Sequence, residues 1–80
     1  MGKVTEKDIL ELIKAALNLK HDIGSDAKMG DIEEWDSLGH LAVLSALDRK
    51  FDGKVAALSD IAVADSVEKI MTVLKSNGLM

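Results

Sequence analysis

The chain has 80 residues, 48% of them hydrophobic, and contains no cysteine and no proline. This length predicts a single domain, residues 1–80, with a small core. The lack of cysteine excludes a disulfide scaffold, a cysteine-ligated zinc site and a protein thiol nucleophile, so helix packing must supply the stability. The net charge of −4 argues against binding to a nucleic-acid backbone as the main role.

The acidic residues are unevenly distributed. Residues 1–36 contain nine acidic and five basic residues, whereas residues 37–80 contain five of each.

No apolar run approaches the ~20 residues that a membrane span needs, and residues 1–20 alternate charged and apolar side chains, unlike a signal peptide. We therefore expect a soluble, cytoplasmic protein that is monomeric.

The first predicted helix covers residues 5–18. Its start resembles a capping box, in which Thr5 and Asp8 each bond the backbone N–H of the other. Apolar residues then recur at helical spacing: Ile9, Leu12, Ile13, Ala16 and Leu17. The segment 19–36 has no sustained periodicity and is interrupted by glycines, which predicts a long loop. We expect four apolar residues to anchor it to the core: Ile23, Met29, Ile32 and Trp35.

The second helix is predicted to begin after the N-cap Asp36 and to run to Arg49–Asp52, where Gly53 ends it. Its core stripe consists of Val43, Leu44, Leu47 and Phe51. Leu38 and Leu41 lie toward one flank at the start of this helix. For Leu41, burial in the core is the simpler interpretation, whereas for Leu38 we favour contact with a partner.

Two shorter elements complete the chain. A helical turn opened by Ser59 is predicted within Leu58–Val63. A last helix is capped by Asp65 and Ser66, and Asn77–Gly78 ends it; its apolar stripe is Val67, Ile70, Met71 and Leu74. The prediction is an all-α fold: a small bundle of three main helices plus one short helix, with the long loop between helix 1 and helix 2.

Ser37 is the candidate functional residue. It occupies the predicted first position of the second helix, where free backbone N–H groups and the helix dipole favour an attached phosphate. A serine is a weak nucleophile without a base in reach, and the sequence offers no obvious triad. Ser37 is therefore better interpreted as a site that another enzyme modifies than as a catalytic residue.

The segment Glu34-Trp35-Asp36-Ser37-Leu38-Gly39-His40-Leu41 resembles the phosphopantetheine-attachment motif of acyl carrier proteins, whose core is Asp-Ser-Leu. The order and spacing of the predicted helices extend the resemblance along nearly the whole chain. It implies a carrier, not an enzyme, on which a phosphopantetheinyl transferase attaches 4′-phosphopantetheine to Ser37. The thiol of that arm would carry acyl groups as thioesters between acyl-loading, condensing and acyl-transferring enzymes, which fits a chain without cysteine.

The resemblance also implies roles for the neighbours of Ser37. Asp36 would engage the transferase and its metal, and Leu38, with Leu41 as a second candidate, would contact partner enzymes. Gly39 and His40 are candidate contacts to the arm, although a partly exposed helix position is the simpler interpretation of His40.

Because glycine inside a helix costs about 1 kcal/mol relative to alanine, we expect Gly39→Ala to stabilise the fold. Two histidines without cysteine make a metal site improbable.

Three functional interpretations stay open at this point. Carriers of fatty acid synthesis usually have several acidic residues on the second helix, and Gly39 and Ala42 occupy two of those places. The first interpretation is therefore an acyl carrier whose pathway is left open: fatty acid, polyketide or another specialised biosynthesis. The first alternative is an aminoacyl or peptidyl carrier of a nonribosomal pathway, whose Gly-Gly-His-Ser or Gly-Gly-Asp-Ser motif is absent. The second is a helical interaction module in which Ser37 is an ordinary first helical residue.

Overall fold

The computed structural model describes residues 4–80, and three α-helices pack there around one hydrophobic core. Helix α1 spans Glu6–Ala16, α2 spans Ser37–Lys50 and α3 spans Val67–Ser76. A single 3-10 turn, Ile61–Val63, precedes α3. Because residues 4–80 form no strand, the prediction of a small all-α fold is confirmed. The short helix that the sequence predicts corresponds to this one turn.

The capping box predicted for α1 is present. The backbone N–H of Asp8 donates to Thr5 Oγ1 at 3.3 Å, and the N–H of Thr5 donates to Asp8 Oδ2 at 2.9 Å. These two bonds satisfy donors that the helix itself leaves without partners. Local sequence alone therefore sets the start of α1.

All three helices end in the same way. The residue after each C-cap has a left-handed backbone: Asn18 (φ 56°), Asp52 (φ 57°) and Gly78 (φ 75°). The N–H of the next residue then donates to a carbonyl in the last helical turn, at 2.8–2.9 Å: Leu19 to Lys14, Gly53 to Asp48, and Leu79 to Leu74. The prediction missed Asn18, so α1 ends two residues earlier than expected.

The core consists mainly of the predicted apolar stripes. The apolar residues that α1, α2 and α3 bury are Ile9, Ile13, Val43, Leu47, Val67, Ile70, Met71 and Leu74. The cap residues Leu17 and Phe51 are also buried, whereas Leu12, Ala16 and Leu44 are half-buried at its margin. Helix α1 packs against both α2 and α3.

The loop between α1 and α2 is held at two places. Trp35 is only 1% exposed, and Ile23, Met29 and Ile32 are half-buried against the core, so the four predicted anchors are confirmed. The loop also pairs with the start of α3, where the backbone N–H of Met29 donates to the Asp65 carbonyl at 2.8 Å. In return the Ala27 carbonyl accepts from the N–H of Val67 at 3.0 Å. The residues before Ser37 are therefore fixed by tertiary contacts.

The predicted caps of the last two elements are partly corrected. Asp60, not Ser59, precedes the 3-10 turn, and it makes no side-chain capping bond. Ser66 caps α3 through Oγ, which accepts from the N–H of Lys69 at 3.1 Å. Across residues 4–80, none of the helices combines the length and apolar character that crossing a bilayer requires.

The capping box predicts a pH dependence of stability. Hydrogen bonds from the backbone and side chain of Thr5 lower the pKa of Asp8 below its usual value. A carboxyl group with a lowered folded-state pKa contributes stability above its unfolded-state pKa, and this is lost as pH falls through the folded-state pKa. Chemical denaturation between about pH 5 and pH 2 should therefore show a steeper loss of stability for the wild type than for Asp8→Asn. Parallel curves for the two proteins would contradict the prediction.

Candidate functional site

Asp36 organises the start of α2. Its Oδ1 accepts from the N–H of Gly39, and its backbone carbonyl accepts from the N–H of His40, both at 2.8 Å. The N–H groups of Ser37 and Leu38 precede the first helical carbonyls, so they have no partner within the helix. Ser37 is exposed at the first position of α2. An exposed hydroxyl thus lies beside two backbone donors, and a group attached to it would meet positive partial charge.

His40 joins three segments of the molecule. The indole N–H of Trp35 donates to His40 Nδ1 at 3.0 Å, and His40 Nε2 lies 3.2 Å from the Ala62 carbonyl. The indole can only donate and the carbonyl can only accept, so Nδ1 is the acceptor and Nε2 carries the proton. These partners assign a neutral imidazole to the folded protein. The loop, α2 and the 3-10 turn are therefore linked through one ring.

The expectation that His40 is partly exposed is wrong, because the residue is only 8% exposed. Its two ring nitrogens are engaged by Trp35 and Ala62. Neither nitrogen is left to contact a group on Ser37 or to serve as a base for its hydroxyl. In the described structure His40 is a buried link between segments, and a contact between it and the arm stays a prediction.

Gly39 is explained by close approach of the chain itself. A Cβ at this position would overlap the backbone carbonyl of Glu34 and would lie 2.8 Å from Leu17 Cδ2. The loop and the end of α1 thus come within contact of the α2 backbone at a place where no side chain fits. The expectation that Gly39→Ala stabilises the fold is wrong, since packing outweighs helix propensity here. The interpretation of Gly39 as a contact to the arm is no longer needed to explain the residue.

Three large apolar side chains are exposed among the described residues. Leu38 and Leu41 on α2 are 77% and 60% exposed, and Val63 at the end of the 3-10 turn is 73% exposed. The interpretation of Leu41 as a core residue is therefore wrong. Val63 follows Ala62, whose carbonyl faces His40, so it belongs to the segment linked to α2. The exposure of Val63 is not predictable from the sequence, because an apolar residue in a short turn belongs to no periodic pattern.

The charge around Ser37 comes from the loop and not from α2. The last six residues before the helix, 31–36, include four exposed carboxylates: Asp31, Glu33, Glu34 and Asp36. Residues 37–47 contain no Asp, Glu, Lys or Arg, so the first three turns of α2 are uncharged apart from any proton on His40. In the part of the chain that is described, no three metal-ligating side chains come together.

No family model, curated protein sequence or solved structure matches this chain. Its functional interpretation therefore depends on the residues and contacts described above. Among the residues singled out from the sequence, the exposed Ser37, its cap Asp36 and the exposed Leu38 are adjacent at the start of α2. The tertiary contacts of Trp35, Gly39 and His40 hold these three in place.

The contacts of Gly39 predict the effect of one methyl group. Gly39→Ala should lower the free energy of unfolding by about 1–3 kcal/mol, the usual cost of overpacking. Ser45→Ala, at an exposed position of the same helix, should leave stability unchanged or raise it slightly through helix propensity. Urea denaturation of the three proteins measures both effects. A Gly39→Ala protein as stable as the Ser45→Ala protein would contradict the proposed contact.

Proposed function

We propose that this chain is an acyl carrier protein, not an enzyme, and that Ser37 is its attachment site for 4′-phosphopantetheine. One observation carries the proposal: an exposed serine at the first position of a 14-residue helix, between its capping aspartate and an exposed leucine. The Asp-Ser-Leu motif thus presents its hydroxyl and its apolar side chain to solvent, as a substrate of another enzyme must.

The surroundings of Ser37 suit a phosphodiester. The free N–H groups of Ser37 and Leu38 and the dipole of α2 favour negative charge at this point. Attack of the Ser37 hydroxyl on the β-phosphate of coenzyme A forms a phosphodiester and breaks the pyrophosphate bond, so adenosine 3′,5′-bisphosphate leaves. The proton of the hydroxyl needs a base from the transferase, because His40 is engaged by Trp35 and Ala62. When attached, the arm supplies the thiol for thioester chemistry, and the chain itself has no cysteine.

The proposed partners are a phosphopantetheinyl transferase and enzymes that load, condense or transfer acyl groups. Leu38 and Leu41 offer them an uncharged apolar surface on α2, with Asp36 and the acidic loop beside it. Apolar contact would supply affinity, and the loop carboxylates would orient a partner with a basic rim. The proposal includes a soluble monomer in the cytoplasm and a fatty acid, polyketide or other specialised pathway.

The proposal assigns a carried acyl group to a groove beside α2. An open groove of about 400 Å³ lies between α2 and residues 55–62, and its apolar lining includes Leu44, Val55, Leu58 and Ile61. Leu44 is seven residues beyond Ser37 on the same helix, a rise of about 10 Å. In the proposed four-helix bundle of a carrier, the 3-10 turn is the short helix that borders this groove.

The proposal predicts a defined covalent modification. Incubation of the purified chain with coenzyme A and a broad-specificity phosphopantetheinyl transferase should add the mass of one phosphopantetheinyl group, measured on the intact protein. Ser37→Ala should abolish the gain, whereas Ser45→Ala, which removes another exposed hydroxyl of α2, should leave it unchanged. Absence of a gain on the folded wild type would leave only the interaction module. A gain that survives Ser37→Ala would assign the arm to another residue.

The exposure of Leu38 predicts a separation between folding and recognition. Leu38→Ser should change the free energy of unfolding by less than about 0.5 kcal/mol, as usual for a surface position. It should slow modification of Ser37 by about tenfold, because burying a leucine in a partner is worth about 1.5–3 kcal/mol. Val63→Ser, on an equally apolar but separate segment, should slow the reaction less. Equal rates for wild type and Leu38→Ser would remove the recognition role.

A further inference from the structure

His40 is the buried polar residue of the described part of the chain, and it lies in the turn of α2 that follows Ser37. Its neutral ring accepts a hydrogen bond from Trp35 and donates one to the Ala62 carbonyl. Each bond needs the ring nitrogen concerned to be in one protonation state. The link therefore has a built-in sensitivity to protons that the proposed carrier function does not use.

Protonation acts differently on the two bonds. A second ring proton converts Nδ1 from an acceptor into a donor, and that proton would face the indole N–H of Trp35 across 3.0 Å. The Nε2–H keeps its direction toward the Ala62 carbonyl, and a positive charge strengthens that bond. The bond to Trp35 is thus the one that breaks.

Loss of this bond affects the loop that precedes Ser37. Trp35 is 1% exposed, so its freed indole N–H finds no water where it lies. The side chain must move to regain a hydrogen-bond partner, and it is adjacent to Asp36, the cap of α2. Movement of Trp35 therefore loosens the last residues of the loop, while the 3-10 turn stays bonded to His40.

We propose that His40 is a proton-sensitive clamp: its neutral form holds Trp35 and the loop before Ser37 in place, and its protonated form releases them. The clamp depends only on contacts within the unmodified chain, so it stands or falls independently of the proposed carrier function.

Charged residues lie on the segments that surround the His40 ring. Glu34 and Asp36 flank Trp35 on the loop, and Asp60 and Asp65 flank the 3-10 turn. Asp65 is close enough for its charge to interact with that of His40, and Lys69 of α3 pairs with it at 3.1 Å. When the ring is protonated, the hydrogen-bond geometry decides that the contact with Trp35 is lost and the contact with Ala62 is kept.

NMR on the full-length, unmodified chain tests the clamp directly. The chain contains one tryptophan, so a single indole N–H signal reports on Trp35 while the ring C–H signals of His40 report its protonation. As the His40 ring protonates, hydrogen-exchange protection of the indole N–H, after correction for the intrinsic effect of pH, should fall by about tenfold or more. Protection of the Ala64 N–H, which donates to the Ile61 carbonyl within the 3-10 turn, should be retained.

Two variants assign the response. In His40→Gln the amide oxygen accepts from Trp35 and the amide N–H donates to Ala62, but the group does not titrate, so protection should stay constant with pH. His21→Gln removes the other histidine, which is exposed in the loop, and should respond as the wild type does.

Three results would overturn the clamp. The first is a protected indole N–H after the His40 ring has protonated. The second is the same pH response in His40→Gln, which would assign it to the surrounding carboxylates. The third is a His40 ring that stays neutral until the whole chain unfolds.

Discussion

The hydrogen bonds of His40 connect the parts of the molecule that sequence order keeps apart. Trp35 reaches the ring from the loop, and the Ala62 carbonyl reaches it from the segment before α3. Without this ring, the buried indole N–H would lose its partner, which costs about 1–3 kcal/mol for a buried polar group. The start of α2, with Ser37 and its neighbours, is therefore positioned by a polar contact within an otherwise hydrophobic core.

The same contact explains the exposed surface of α2. His40, Val43 and Leu47 have spacings of three and four residues, so they share the face that turns inward. A helix rotated to bury His40 carries Leu38 and Leu41 outward, because they are displaced by one or two residues from that face. The apolar surface that we propose for partner contact is thus a consequence of burying a histidine.

The N-caps Thr5, Asp36 and Ser66 and most of the periodic stripes are predictable for physical reasons that act over a few residues. Thr5 with Asp8, Asp36 with Gly39, and Ser66 with Lys69 are pairs three residues apart, and each needs only the local helix geometry. Core residues recur at helical spacing, so their shared face is visible before any tertiary contact is known. The loop anchors were found because a large apolar residue between turn formers has few alternatives to burial.

Local patterns of residues are enough to predict where the helices begin, which faces are apolar, and that Ser37 opens the second helix. The environments of Gly39, His40 and Leu41 depend instead on tertiary contacts. Position 39 has to be glycine because the carbonyl of Glu34 and a methyl group of Leu17 leave no space for a side chain. His40 can be buried because Trp35 and Ala62 provide hydrogen-bond partners for both of its ring nitrogens. These partners belong to segments with no fixed register relative to α2 in the sequence. A rule based on hydrophobicity therefore predicts that Leu41 is buried and His40 exposed. In the structure His40 is buried with both ring nitrogens hydrogen-bonded, and Leu41 is exposed.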